Sequence, residues 1–157
     1  MAEPGTRSEI DHRQLGVELY NATWKLLEQE SRTPADDDAM LDASHASAYH
    51  WSRAEGAGPV NAARSHWQIS RVNSVLRRGE AALYHAQRCL EIYTEHGIGD
   101  WDVASAYEAL ARAHRLAGND VEYRRNLELG RGALTRIADD EDRVHIAEDL
   151  DELANRD

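Results

Sequence analysis

The sequence predicts an all-α protein, and three observations carry that expectation. Apolar residues recur every three or four positions, as in Leu15, Leu19 and Leu26 or Ala82, Ala86, Cys89, Leu90 and Tyr93, the period of a helix face. No segment sustains the two-residue alternation of a half-buried strand. Punctuation residues fall where helices should begin and end. Pro4, Pro34 and Pro59 stand at starts, and "EGAG" (55–58), "RRGE" (77–80), "HGIGD" (96–100) and "AGND" (117–120) stand at or next to stops.

Taken in order, residues 1–9 form a flexible N-terminus and the first helix spans 10–31. The second covers 35–54, behind Pro34, and the third covers 59–77, from Pro59 to "RRGE". The fourth, 80–96, and the fifth, 100–117, are each bounded by glycine turns, and the sixth spans 120–138. The seventh, 140–154, opens on the acidic run of "DDEDRVHIAEDLDELANR", which suits the positive end of a helix dipole. Its charged outer face is that of a capping helix. Loops of about two to five residues imply antiparallel neighbours, so 10–54, 59–96 and 100–138 read as hairpins of one domain over 10–157.

Composition narrows the function. The chain lacks phenylalanine, so alanine, leucine, tyrosine and tryptophan must fill the interior, and small residues let helices approach closely. A net charge of −11 disfavours nucleic acid; the Arg77–Arg78 and Arg124–Arg125 pairs are too small to reverse this. The lone Cys89 can form no intramolecular disulfide, which fits a reducing cytoplasm. No stretch is long and apolar enough for a membrane span, and "MAEPGTRSEIDH" lacks the apolar centre of a secretory signal.

An internal repeat sharpens the architecture. A shift of 41 residues lays Ala63 on Ala104, Ile69 on Leu110, Ser70 on Ala111 and Arg71 on Arg112. The same shift lays Ala86 on Leu127, Tyr93 on Leu134, and the Gly56/Gly58 loop on Gly97/Gly99. Helices, small residues and turns stay in phase, as in stacked helical hairpins. "SRVNSVLRRGEAALYHAQRCLEI" (70–92), with Ser70 in one helix and "EAAL", Ala86 and Cys89 in the next, resembles the tetratricopeptide-type repeat. The period departs from the 34 residues usual for that family, no proline closes either unit, and Asn73 and His114 stand where a tyrosine is usual. The resemblance implies a short right-handed superhelix whose first helices line a concave face.

On that face the phase brings Arg64, Trp67, Arg71 and Ser74 from the third helix. The fifth supplies Ser105, Glu108, Arg112 and Arg115, with Tyr107 at its edge. Aromatic and arginine side chains on one wall suit a peptide or small-molecule groove. Equally, Trp67 and Tyr107 can be space-filling residues between helices.

The eight histidines are the other unusual feature. His45 and His50 in "LDASHASAYHW" (41–51) are five apart, about 140° round a helix, and cannot chelate one ion as a local pair. Glu9/His12 and Asp42/His45 have carboxylate-x-x-His spacing, the half-motif of a di-metal bundle, and Glu9 also suits a capping or first-turn acid. Leu41, His45 and Tyr49 align with the stripe Ala82, Ala86 and Leu90, which places His45 on a buried face. An alternative is therefore a pocket in which His45, His50 and His85, with His114 as a further candidate, do acid–base work, or in which Asp42, His45 and His85 hold a metal. Cys89 on an apolar stripe reads as an inert thiol, and "GRGAL" (130–134) as a close helix contact. No phosphate loop or nucleophile elbow is present.

The expected function is a binding or scaffold module for a peptide or protein partner, without a cofactor. The alternatives are a histidine-pocket enzyme and self-association through an exposed end.

Overall fold

The computed structural model describes residues 9–155; Pro4 and the rest of 1–8 lie outside the described residues. Seven helices follow in order: α1 (His12–Leu27), α2 (Pro34–Trp51), α3 (Pro59–Val75), α4 (Gly79–Glu95), α5 (Trp101–Leu116), α6 (Asp120–Ala133) and α7 (Asp140–Ala154). A short 3-10 turn, Leu134–Arg136, follows α6, and no strand occurs among the described residues. The all-helical expectation holds.

Local chemistry sets the helix starts. Asp11, not Glu9, caps α1: its carboxylate accepts from the Gln14 N–H at 2.9 Å. Thr33 and Asp36 form a reciprocal capping box at α2, which satisfies two otherwise orphaned backbone donors. Pro34 and Pro59 occupy first helical positions, where no N–H is needed. Asp139 caps α7 by accepting from the Glu141 and Asp142 N–H groups at 2.9 and 3.0 Å.

Two helices end four or five residues earlier than expected. α1 stops at Leu27, and Arg32 ties the connection by bonding Asp37 at 2.8 Å. α6 stops at Ala133, because Ile137 turns extended (ψ 120°) and plugs into the core at 2% exposure. Arg143 of α7 donates to the Ile137 carbonyl at 3.3 Å.

Three C-termini share one device. After α3, α4 and α5 the chain steps through positive φ at Arg77 (58°), Gly97 (63°) and Gly118 (74°). The following N–H reaches back five residues in each case: Arg78 to Asn73 at 2.8 Å, Ile98 to Tyr93 at 2.9 Å, and Asn119 to His114 at 2.9 Å. This is the Schellman closure, which normally employs glycine at the left-handed position.

The helices pack as consecutive pairs, α1/α2, α3/α4 and α5/α6. α3 also touches α5, and α5 touches α7. α1 joins this inner row through Gln68, whose amide donates to the Tyr20 carbonyl at 3.0 Å, and through Trp24 beside Trp67. The 41-residue register holds in burial for four pairs, Ala63 and Ala104, Ile69 and Leu110, Ser70 and Ala111, and Ala86 and Leu127, but not for Tyr93, which is buried, and Leu134, which is only partly so in the turn after α6. Gly130 of "GRGAL" is a close contact as expected, since a Cβ there would lie 3.0 Å from Leu150.

α2 departs from expectation. Its buried stripe is Met40, Ser44 and Ser47, while His45 and Tyr49 are exposed. The buried stripe is displaced by one residue from Leu41–His45–Tyr49, which turns the helix by about 100°. Small size decided the matter. Ser47 fits against α1 and donates to the Gly16 carbonyl at 2.8 Å, and Gly16 lies under the Trp51 ring.

Arg77 alone among the three closing residues carries a Cβ in the left-handed region. Arg77→Gly is therefore expected to stabilise the chain by about 1 kcal/mol, read as a higher urea midpoint with an unchanged slope. A lower midpoint would show that the Arg77 side chain contributes more than its backbone strain.

Candidate functional site

The inner row α1, α3, α5 and α7 encloses two adjoining cavities of about 450 and 570 Å³. Tyr20 and Trp24 of α1, Arg64 and Trp67 of α3, Trp101 and Ser105 of α5, and Asp142 and Ile146 of α7 line the first. Ser74, Arg77, Glu108, Arg115 and Glu152 line the second. Arg71, Arg112 and Asp149 belong to both, so the two form one groove with an aromatic end and a charged end.

Helix spacing makes this wall. Arg64, Trp67, Arg71 and Ser74 follow at intervals of three, four and three on α3, which keeps them on one face. Trp101, Ser105, Glu108, Arg112 and Arg115 do the same on α5. The expected groove residues Trp67, Arg71, Ser74, Glu108 and Arg112 are thus brought together. Tyr107 is not among them: one residue from Glu108, it faces α6 and packs beside Gly130 and the Ala104–Leu150 cluster. Tyr20 and Trp24, and the α7 carboxylates Asp142 and Asp149, complete the groove. Their helices lie outside the best-matched repeat, so the phase argument did not reach them.

One buried node fixes the aromatic end. Asp102, 6% exposed, accepts from Arg64 at 3.0 and 3.1 Å and from the Tyr93 hydroxyl at 3.0 Å. Arg64 lies over the Trp101 ring at 4.6 Å. α3, α4 and α5 therefore meet at one carboxylate. Its hydrogen bond holds the Arg64 guanidinium above its ordinary pKa, and burial foremost raises the Tyr93 phenol.

At the charged end Glu108 is 1% exposed and ion-paired with Arg112. Burial pushes its carboxyl upward, opposed by the Arg112 and Arg71 charges. Arg71 itself is half-buried and makes no hydrogen bond or ion pair among the described residues. One turn away, the buried Trp67 indole N–H has no acceptor among them. The groove thus presents one uncommitted donor, Arg71, beside aromatic faces, while the Trp67 N–H is sealed from it.

The histidines gather differently from expectation. His50 of α2 pairs with His12 of α1, Nδ1 to Nδ1 at 2.8 Å. His85 of α4 pairs with His66 of α3, also at 2.8 Å, and His45 lies edge-on to His85 with centroids 5.7 Å apart. His45, His50 and His85 therefore do not form one set; His66, not singled out by spacing, replaces His50. His114 is half-buried and makes no ring contact among the described residues. Asp42 is exposed, and no group of three or more His, Cys, Asp or Glu residues there could hold a metal ion. The arrangement of Asp42, His45 and His85 as ligands is thus not formed.

No protein-family model matches the chain, and no curated protein matches it. No helix among the described residues is long and apolar enough to cross a membrane.

Two outcomes follow. Asp102→Ala strands Arg64 and the Tyr93 hydroxyl and is expected to cost about 1–3 kcal/mol, measured by urea unfolding; a loss below about 0.5 kcal/mol would show that water serves both donors equally well. Burial pushes the Cys89 thiol up to about 12, so thiolate is scarce near neutrality. A thiol reagent at pH 8 should label Cys89 at least about a thousandfold faster in urea than in the folded chain, and comparable rates would contradict the buried placement.

Proposed function

We propose that this chain is a non-catalytic binding module whose inner groove holds a segment of a peptide or protein partner. The observation that carries the reading is Arg71, a half-buried guanidinium without a hydrogen bond or ion pair among the described residues, set in a groove between aromatic and charged walls. Taking a charge out of water without a partner is costly, so a bound acceptor gains more there than on open surface. Tryptophan and arginine in a concave, partly desolvated wall are the residue types that dominate binding energy. Trp24 and Trp67, with centroids 5.7 Å apart, offer faces to an apolar side chain, and Arg71 offers a fork to a carboxylate or backbone carbonyl. The tetratricopeptide-like phase agrees, since it too directs the first helices of successive hairpins toward the ligand. The enzymatic alternative lacks a comparable feature, because His45 and His85 stand apart from His50.

Selection of peptides from a displayed random library on the immobilised chain tests the reading. Binding is followed by the fluorescence of Trp24, Trp67 and Trp101. Arg71→Glu should weaken selected peptides at least about tenfold, or 1.4 kcal/mol, with the helical circular dichroism unchanged. Failure to select any peptide, or peptides indifferent to both Arg71→Glu and Trp67→Ala, would overturn the proposal.

A further inference from the structure

The first hairpin is attached to the rest by unusual means. α1 and α2 contribute one buried hydrophobic side chain, Met40; their other buried residues are Gly16, Thr23, Ser44 and Ser47. The three hydrophobic clusters draw their buried residues from α3 to α7 and the turn after α6. Between α2 and α3 lies a cleft of about 350 Å³, walled in part by Ala48, Trp51 and Ser52 on one side and Ala62, Ser65 and His66 on the other. A joint with little buried apolar surface is where a fold opens first.

Three imidazoles cluster at this joint: His45 of α2 on one side, and on the other His66 of α3 and His85 of α4, which bond to each other. The His66–His85 hydrogen bond needs a bare nitrogen on one ring, so the pair accepts one proton at most while it lasts. His45 faces His85 edge-on. From α4, Arg88 and Glu91 also face the group, paired with each other, and the Tyr84 ring lies 5.1 Å from His85. On α2, Asp42 and Tyr49 stand about a turn to either side of His45, and both are exposed. No carboxylate bonds any of the three rings among the described residues.

We propose that His45, His66 and His85 form an acid-sensitive latch that holds the α1–α2 hairpin on the stack, and that its protonation swings Tyr20 and Trp24 away from the groove. Opening of the hairpin stands on its own; its meaning as regulation of binding rests on the groove reading above. The His12–His50 pair lies within the hairpin and moves with it.

The direction in pH follows from the rings. Burial foremost, then His66 and His45, lowers the His85 imidazole from 6.5 to about 4, and burial lowers His66 as well. An opened or unfolded state, with ordinary imidazoles, therefore binds protons first. The latch is at full strength above about pH 6.5 and weakens as pH falls from there toward 4.

Hydrogen exchange of the full chain at pH 7.5 and 5.0, corrected for intrinsic rates, tests this. Amides of α1 and α2 are expected to open at least about tenfold more at pH 5.0, with those of α5 to α7 unchanged within about twofold. The double variant His66→Asn/His85→Asn keeps a neutral donor and acceptor and should reduce the α1–α2 effect to under about twofold. Should that variant fail to fold, His45→Gln, at an exposed position, should at least halve it. An unchanged first hairpin, uniform acceleration of all helices, or the same acceleration in the variants would overturn the latch. Peptides selected on the groove should lose affinity in step with opening. If they do not while opening occurs, the groove reading fails and the latch stands.

Discussion

The constraint on which the structure depends is how closely its helices approach without large aromatic filler. With no phenylalanine in the chain, the interfaces are made by Ala63, Ala82, Ala86, Ala104, Ala106, Ala109, Ala111 and Ala113, all at most 1% exposed. Buried serines share the task, and each hydroxyl finds a carbonyl. Ser44, Ser65 and Ser105 bond within their own helices, whereas Ser47 and Ser70 bond across to Gly16 and Ala82. A satisfied serine packs like a slightly larger alanine at little penalty. Interhelix spacing and polar satisfaction are here one requirement, met by the same side chains.

Close packing of small residues leaves the bulky ones a limited choice of place. Tyr93 is buried, yet its hydroxyl reaches Asp102. Trp24, Trp67 and Trp101 are only partly buried along the inner row, Trp67 and Trp101 being laid against the edges of the alanine-rich clusters. The groove's aromatic character thus follows from the same constraint as its walls. Its charge follows from the repeat: Arg71 and Arg112 occupy equivalent positions 41 residues apart, but only Arg112 has Glu108 one turn before it, where α3 has Trp67 one turn before Arg71. The two arginines therefore diverge, one committed to a buried carboxylate and the other without a comparable pair.

Much of this was legible in the sequence where period and punctuation act alone. Pro34, Pro59 and the glycine turns placed the helices of the central hairpins to within a few residues, and the 41-residue phase placed Trp67, Arg71, Ser74, Glu108 and Arg112 on one wall. Legibility failed where a choice between neighbouring faces depends on tertiary fit. α2 offers two plausible stripes, and the 41-residue phase favours Leu41–His45–Tyr49 over Met40–Ser44–Ser47. The second won because serine passes under Gly16 and a tyrosine does not. Tyr107 failed for the same reason, one residue and about 100° from Glu108. The histidine pairs were beyond any local pattern, since His66 and His85 meet across a hairpin. Ile137 ended α6 by being drawn into the core, a contact no cap signal announces.

The uneven distribution of small residues and large apolar ones also grades the fold along its length. From α3 onward leucine, isoleucine and valine join the alanines, and the Asp102 node locks three helices together. In the first hairpin no alanine is among the buried residues, and the buried faces are glycine, serine and threonine with Met40. Hydrogen bonds at such an interface contribute less net stability than apolar burial of the same area, because each replaces one made to water. The hairpin nevertheless supplies Tyr20 and Trp24, two of the five tyrosine and tryptophan side chains at the aromatic end of the groove. A groove shared between a body with a large apolar core and a hairpin joined through polar contacts can change shape at smaller free-energy cost than one built wholly on that core. The same polar interface that joins α1–α2 to the stack with little buried apolar surface therefore also positions two of the aromatic side chains that share a groove with Arg71.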